Sequence, residues 1–406
     1  MSGRFHTGVN YWPASSAMRW WRRFDAKEVA RDFTRVRGTG ADIVRFFLLW
    51  EDFQPEPFTV SDEALSHLRT VADVASRSQL QVIPTLFTGH MSGANFIPEW
   101  ALGGTRERAR FRVIAGERVV DRGIRNWYAD EDIARAQVTL ARECARALAG
   151  HPALWGWDLG NENSNCCVPA TRDEGLRWLD RVADAIRSVD GGCHLTIGIH
   201  LEDLEEDRRI GPAEAGRVSD VLSMHGYPIY ASWSAGPMDE AFVAFLAAIT
   251  RWLGGKDVLF TELGAPTQDG DPDAERQSGA MLLGEDDARS YLSAAMRGLQ
   301  QTGATGALTW CFADYASTIW NEPPLDQAPH ERHFGLWRAD GSPKPGAAAL
   351  AESSAKTRVE PEPVPWSEEV RDHFYDSPKT TLVRMYRERR GLKGAKPPQR
   401  LARPLL

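Results

Sequence analysis

What this chain of 406 residues lacks narrows its function before anything in it is read. Cysteine is scarce: five residues, an odd number, scattered except for the adjacent Cys166 and Cys167. That pattern fits a reducing cytoplasm, the expected location, better than a disulfide framework. No run reaches the roughly 18 apolar residues of a membrane span. The opening MSGRFHTGVNYWP has no charged-then-apolar leader, so no membrane partner is expected. Positive charge is in deficit, and a formal net charge of −8 argues against nucleic acid as the partner. The first strand-like segment is followed by no glycine-rich turn: VNYWPAS stands where an open dinucleotide-binding sheet would announce its ligand. Close-spaced ligand pairs such as HxH or HExxH are missing, and neither metal nor cofactor is expected. A metal site built from His90, His225 and a glutamate is the competing chemistry.

Tryptophan, by contrast, is abundant, with 15 residues. An indole buries a large area but carries a donor that needs a partner, which suits ring-stacking surfaces at the rim of a site. Strand-like and helix-like segments alternate along the chain. The strands read as 5–11, 42–49, 80–87, 154–160, 194–200, 218–224, 257–262 and 306–312. Helical spacing covers 25–39, 61–78, 131–148, 171–189, 239–253, 285–302 and a short 345–352. Eight strands in alternation with helices predict an α/β fold with a parallel sheet, closed as a (β/α)8 TIM barrel over residues 1–356. The stretches 88–130 and 311–342 are too long for simple connections and are expected to be functional loops at the C-terminal mouth.

From Thr357 the character changes. Pro361, Pro363 and Pro365 form an extended linker, and residues 379–406 carry nine Lys/Arg against one acidic residue. That local +8 leaves −16 on the rest. The segment 357–406 is therefore expected to pack as a tail on an acidic side of the barrel, or on a neighbouring subunit in a homo-oligomer.

In a barrel the C-terminal strand ends converge on one mouth, so they can be read together. Strand two carries Arg45 inside an apolar run and ends at Trp50. A charge embedded there needs a carboxylate partner. Strand three leads to His90, strand four to Asn161-Glu162, strand six to His225-Gly226-Tyr227, strand seven to Glu262 and strand eight to Trp310. Each has a structural explanation alone. Together they put two glutamates on nearly opposite sides of one mouth, flanked by Arg, His and Tyr donors.

This set resembles the clan A retaining β-glycosidases, and glycoside hydrolase family 5 most of all. The pattern is Arg after strand two, His after strand three, Asn-Glu after strand four, His-x-Tyr after strand six, Glu after strand seven and Trp after strand eight. Residues 5–352 carry it, with Asn163 a departure where many relatives have Pro. The resemblance implies Glu162 as acid/base and Glu262 as nucleophile, about 5 to 5.5 Å apart. It implies Arg45, Trp50, His90, Asn161, His225, Tyr227 and Trp310 as substrate-binding residues. Glu262 needs to be ionised, and Arg45 and the Tyr227 hydroxyl suit that charge. Glu162 needs to begin protonated, which the Trp155/Trp157 strand and the charge of Glu262 favour.

The expected substrate is a β-linked oligosaccharide, with a β-1,4 linkage, cleaved by double displacement. Trp100, Trp127, Tyr128, Trp320 and Trp337 in the long loops are expected to wall off one end of the cleft. GVNYWP, LLWEDFQPEP and TGHMSG are also similar to intracellular β-mannosidase and mannanase-type relatives. An exo-acting β-mannosidase-like enzyme is the favoured reading. An endo-acting mannanase or glucanase, a transglycosylase and a non-catalytic sugar-binding barrel are the alternatives.

Overall fold

The computed structural model describes residues 3–104, 110–267, 282–361 and 363–391. Its strands are β1 (His6–Tyr11), β2 (Ile43–Leu49), β3 (Gln81–Thr88), β4 (Gly156–Asn161), β5 (His194–Gly198), β6 (Leu222–His225), β7 (Val258–Leu263) and β8 (Gly306–Thr309). Between and after them run α1 (Ala26–Gly38), α2 (Asp62–Arg77), α3 (Glu131–Leu148), α4 (Arg172–Arg187), α5 (Pro212–Val218), α6 (Glu240–Gly254), α7 (Glu285–Gln301) and α8 (Pro345–Ser354). All eight strands are parallel, in the order β5-β4-β3-β2-β1-β8-β7-β6. The row bends round until its ends meet, where the His225 N–H donates to Ile199 O at 2.9 Å. The result is a nearly closed (β/α)8 barrel, as the alternation of segments predicted.

Strands covered on both faces read as continuous apolar runs, and β2, IVRFFLL, is buried at every residue. The helices lie outside and begin on caps visible in the sequence: Ser61 accepts the Ala64 N–H before α2, and Asp130 the Ile133 N–H before α3. The buried stripe of α2 includes Leu65, Leu68, Val71, Ala72 and Ala75. The sequence pattern did not predict α5. Its seven residues are too few to show a period, and it is defined by Pro212 in its first turn and by Glu214 accepting the Gly211 N–H. Among the described residues, no helix is long and apolar enough to cross a membrane.

The barrel interior has two parts. Near the N-terminal strand ends, Ile43, Ile83, Trp155, Val221, Leu259 and Leu308 form an apolar plug. Above it the inward positions turn polar, with Asn10, Arg45, Thr85, Asp158 and Thr261 all buried. Strand pairing slips at the mouth ends of β2, β4, β6 and β7. Such irregularities re-aim side chains that regular alternation would send elsewhere.

Beyond the barrel, α9 (Pro378–Arg389) buries Leu382, Met385 and Tyr386. The Tyr386 ring lies 5.1 Å from both Trp233 and Phe245. Its hydroxyl, with the Arg390 guanidinium, binds the buried Asp239 at the start of α6. Residues 392–406 of the basic stretch lie outside the described residues.

Candidate active site

Arg45 is the centre around which the mouth is assembled. Strand register sets it beside Asn10 on β1, and Asp158 beside Thr85 on β3. Fully buried, Arg45 donates from Nε to Asp158 Oδ2 (2.8 Å), from Nη1 to Asn10 Oδ1 (2.9 Å) and Glu262 Oε1 (2.6 Å), and from Nη2 to Asn161 Oδ1 (2.7 Å). Burial works against its charge, but Asp158 and then Glu262 outweigh burial and raise its pKa. Gly198 is obligatory for this crowding, since a Cβ there would stand 3.0 Å from Arg45 Nη2 and 2.8 Å from Gly160 O.

Glu262 ends β7 with both oxygens occupied. Arg45 holds Oε1, and the Tyr227 hydroxyl donates to Oε2 at 2.7 Å. Burial first, then the charge of Glu262, pushes the Tyr227 phenol well above its ordinary pKa, so it remains a donor. Asn161 is fixed at both ends of its amide, accepting from Arg45 and donating from Nδ2 to His90 O at 2.9 Å.

Glu162 follows β4 in the left-handed region, at φ 48° and ψ 44°. A side chain other than glycine costs roughly 1–3 kcal/mol there and persists where the surroundings enforce it. Its N–H is held by Gly198 O at 2.9 Å. The next residue, Asn163, packs its amide where a Cβ on residue 160 would be, which requires Gly160.

The environment of Glu162 differs from the tryptophan pocket expected of it. Trp155 belongs to the plug at the other end of the barrel, and Trp157 is fully buried in the main core. Three histidines surround the carboxyl instead: His225 Nδ1 is 2.9 Å from Oε1, His90 Nε2 3.8 Å and His200 Nδ1 3.9 Å from Oε2. Asn165 donates to Oε2 at 3.1 Å. Burial raises the carboxyl pKa, but His200, His225 and His90 together overcome it and hold Glu162 below the usual carboxylate range. His90 itself is shifted down by burial, and its Nδ1 meets Asn95 Oδ1 at 2.8 Å. His200, at the end of β5, went unread in the sequence, although the strand-end rule that picked out His90 and His225 applies equally to it. Asp158 and Asn10 were missed because they sit mid-strand, where only the register reveals them.

Trp310 closes the set. It contacts the Phe47 ring edge-on at 5.8 Å, and the Arg45 guanidinium lies 4.6 Å over that same ring. Trp50 stands apart from the mouth. It is wholly buried against Phe87, Trp100 and Trp127, and its Nε1 donates to Gln54 at 2.8 Å. The loop tryptophans are also structural: Trp100 donates to Gln54 O, Trp320 to Tyr315 O, and Trp337 packs on Phe312.

Among the described residues, Glu162, His225 and Glu262 bring ligand atoms within 4.8 Å of one another, the geometry a metal ion could use. The donor set argues against one. Every oxygen of the two glutamates already faces a protein donor, and a cation between them would sit against the Arg45 guanidinium.

Outside this cluster the β8 loop supplies Glu331, another buried carboxylate. It accepts from Ser92 of the β3 loop at 3.1 Å and from the Tyr230 hydroxyl of the β6 loop at 3.0 Å. The Tyr230 and Tyr227 rings are 5.6 Å apart.

No protein-family model matches the chain, and no curated protein sequence matches it. Solved structures do. The GH5_18 from Streptomyces cattleya in complex with GlcNAc is 22% identical, with a TM-score of 0.76 over 97% of this chain and 92% of that one. A variant of it, in complex with Manβ1-4GlcNAc, superposes at 0.74 with the same identity, over 96% and 92%. The exo-β-1,4-mannosidase Op5Man5 from Opitutaceae bacterium strain TAV5 is 27% identical, with a TM-score of 0.69 over 87% of this chain and 61% of that one. The chain thus has the barrel of family 5 glycoside hydrolases, in agreement with the resemblance read from its strand ends.

Proposed function

We propose that this family 5-like barrel is a retaining β-glycosidase that removes terminal sugars from β-1,4-linked oligosaccharides, in the manner of an exo-β-mannosidase. The observation that carries the reading is the pair Glu162, just past β4, and Glu262, on β7, with one carboxylate oxygen of each within 4.8 Å of the other. That separation suits double displacement at about 5–5.5 Å, not the roughly 6.5–9.5 Å that leaves room for an inverting water. Glu262, steadied by Arg45 and Tyr227, attacks the anomeric carbon while Glu162 protonates the departing glycosidic oxygen. Glu162 then takes a proton from water, whose oxygen displaces Glu262 and regenerates both carboxyls. Asn161 is held where it can donate its second amide hydrogen to the sugar 2-hydroxyl, and Trp310 supplies a flat apolar platform.

Glu162 must carry a proton when the leaving oxygen departs. The surrounding histidines are its nearest proton relays, and by favouring the charged carboxyl they put the pH optimum on the acidic side. The mannosidase preference draws on the neighbours, one bound to Manβ1-4GlcNAc and one named an exo-β-1,4-mannosidase. Exo action is supported by Glu331, which ties the β3, β6 and β8 loops together at the mouth. The barrel carries the chemistry, and α9 braces it through Tyr386 and Arg390 at Asp239. Five free thiols fit a reducing compartment such as the cytoplasm.

A panel of p-nitrophenyl β-glycosides, with reduced manno- and cello-oligosaccharides, tests the reading. Release of p-nitrophenol from the β-mannoside, lost in Glu262→Ala and Glu162→Ala and partly restored by azide, is expected. Cleavage of reduced oligosaccharides at internal bonds alone would replace the exo assignment by the endo one. Full activity in either variant would remove the glutamates from the mechanism.

A further inference from the structure

Glu331 is a buried ionisable group that the proposed mechanism leaves idle. It lies in the short helical turn Pro329–His333 of the β8 loop. Its Oε1 accepts from Tyr230 and has His330 Nε2 at 3.4 Å, while Oε2 accepts from Ser92. No Arg or Lys among the described residues pairs with it. Burial opposes its charge, but His330, Tyr230 and Ser92 together keep its pKa below the ordinary value. A carboxylate has about four acceptor sites, and these contacts leave room for at least one further donor.

Its position relative to the reacting atoms follows from Tyr230. That ring is next to Tyr227, whose hydroxyl rests on Glu262. The Tyr230 hydroxyl rests on Glu331 at 3.0 Å, so two neighbouring tyrosines bridge from Glu262 to Glu331. Glu262 marks the anomeric carbon of a bound sugar and Asn161 its 2-hydroxyl. Glu331 lies one aromatic ring further out from Glu262, beyond Tyr227 and Tyr230.

We propose that Glu331 is a specificity-determining residue that accepts hydrogen bonds from the 4- and 6-hydroxyls of the terminal sugar. This rests on the glycosidase reading and deepens it. A sugar already substituted at O4 has no proton there to donate, and its next residue would run into the Ser92–Glu331–Tyr230 contacts. The same carboxylate thereby selects the sugar end and excludes chain interiors.

The test compares wild type, E331A, E331Q and the double variant S92A/Y230F on p-nitrophenyl β-D-mannopyranoside and its 4-deoxy and 6-deoxy analogues. If another panel glycoside is cleaved fastest, that sugar's deoxy series is used. E331A is expected to lower kcat/KM on the full sugar by about 10- to 100-fold, the range for a hydrogen bond to a charged acceptor. On at least one deoxy analogue the loss is expected to shrink to under about threefold, because the donor is already gone. E331Q keeps an acceptor for Tyr230 and gives the same pattern at smaller amplitude, which serves if E331A does not fold. S92A/Y230F cuts the loop ties but keeps the carboxylate, and its loss is expected to be of similar size on all three sugars, without the relief that E331A shows on a deoxy analogue. Equal losses for E331A on all three sugars would reduce Glu331 to a loop tie and overturn the inference alone. A wild type inert on every glycoside in the panel would overturn the glycosidase reading, and this inference with it.

Discussion

On β2, Ile43 sits in hydrocarbon, and two residues on, along the same inward face, Arg45 is held by two carboxylates and two amides. On β7, Leu259 belongs to the plug and Glu262 to the mouth. The two ends of the interior share strands and share burial, yet they answer to different demands. Burying the Leu259 side chain contributes about 1.5–3 kcal/mol. The Arg45 network, measured against a well-packed apolar equivalent, is about neutral or a net cost. The lower half therefore stabilises the barrel, and the upper half adds little to its stability, as the proposed chemistry would have it.

That contrast can be broken or sharpened by substitution. The largest effect belongs to Glu262→Ala, expected to lower kcat by about 10,000-fold or more in protein that remains folded. A fall in activity no larger than the fraction of protein unfolded would make Glu262 a structural residue. Glu162→Ala is expected to cost about 100- to 10,000-fold on substrates with poor leaving groups. A 2,4-dinitrophenyl glycoside needs no proton to depart, so the first step should recover with it. Equal losses on both leaving groups would deny Glu162 its acid role.

Arg45→Met strands Asp158 without its cation and is expected to destabilise by about 3–5 kcal/mol, as read by urea unfolding. Adding Asp158→Asn should return part of that loss. Leu259→Ala, in the plug, is expected to cost about 2–5 kcal/mol while kcat of the folded enzyme stays within about twofold. A plug variant that lost activity without losing stability would erase the distinction between the two ends. The smallest effect concerns pH. His200 lowers the Glu162 pKa, so His200→Gln raises it, and the alkaline limb of kcat/KM, where the acid loses its proton, moves upward. A limb that moves down or not at all would detach His200 from the acid.

The strand ends were legible because a barrel sends them all to one place. His90, Asn161, Glu162, His225, Tyr227, Glu262 and Trp310 needed only a strand count to be grouped, and Arg45 stood out as the one charge inside the apolar run of β2. Trp50 was misplaced by the same rule. It begins the short helix Trp50–Phe53, which turns its indole into the core. Trp155 and Trp157 are near Glu162 in sequence and remote from it in space, because a strand rising about 3.3 Å per residue carries the first far down the barrel. Alternation then sends Trp157 outward and Asp158 inward. Of the histidine shell only His200 went unread, and Glu331 rests on contacts between loops, which no local pattern encodes.

The clamp of α9 on Asp239 bears on how the protein is made. β1 finds one of its partners only when β8 has been synthesised, so the barrel closes late. The β6 loop, which carries Tyr227 and Tyr230, waits longer still, for Tyr386 and Arg390 to arrive at Asp239. At translation rates of about 5–20 residues per second, that interval is roughly 4–15 s. During it a nascent chain has every barrel strand but lacks the contacts that Tyr386 and Arg390 make with Asp239.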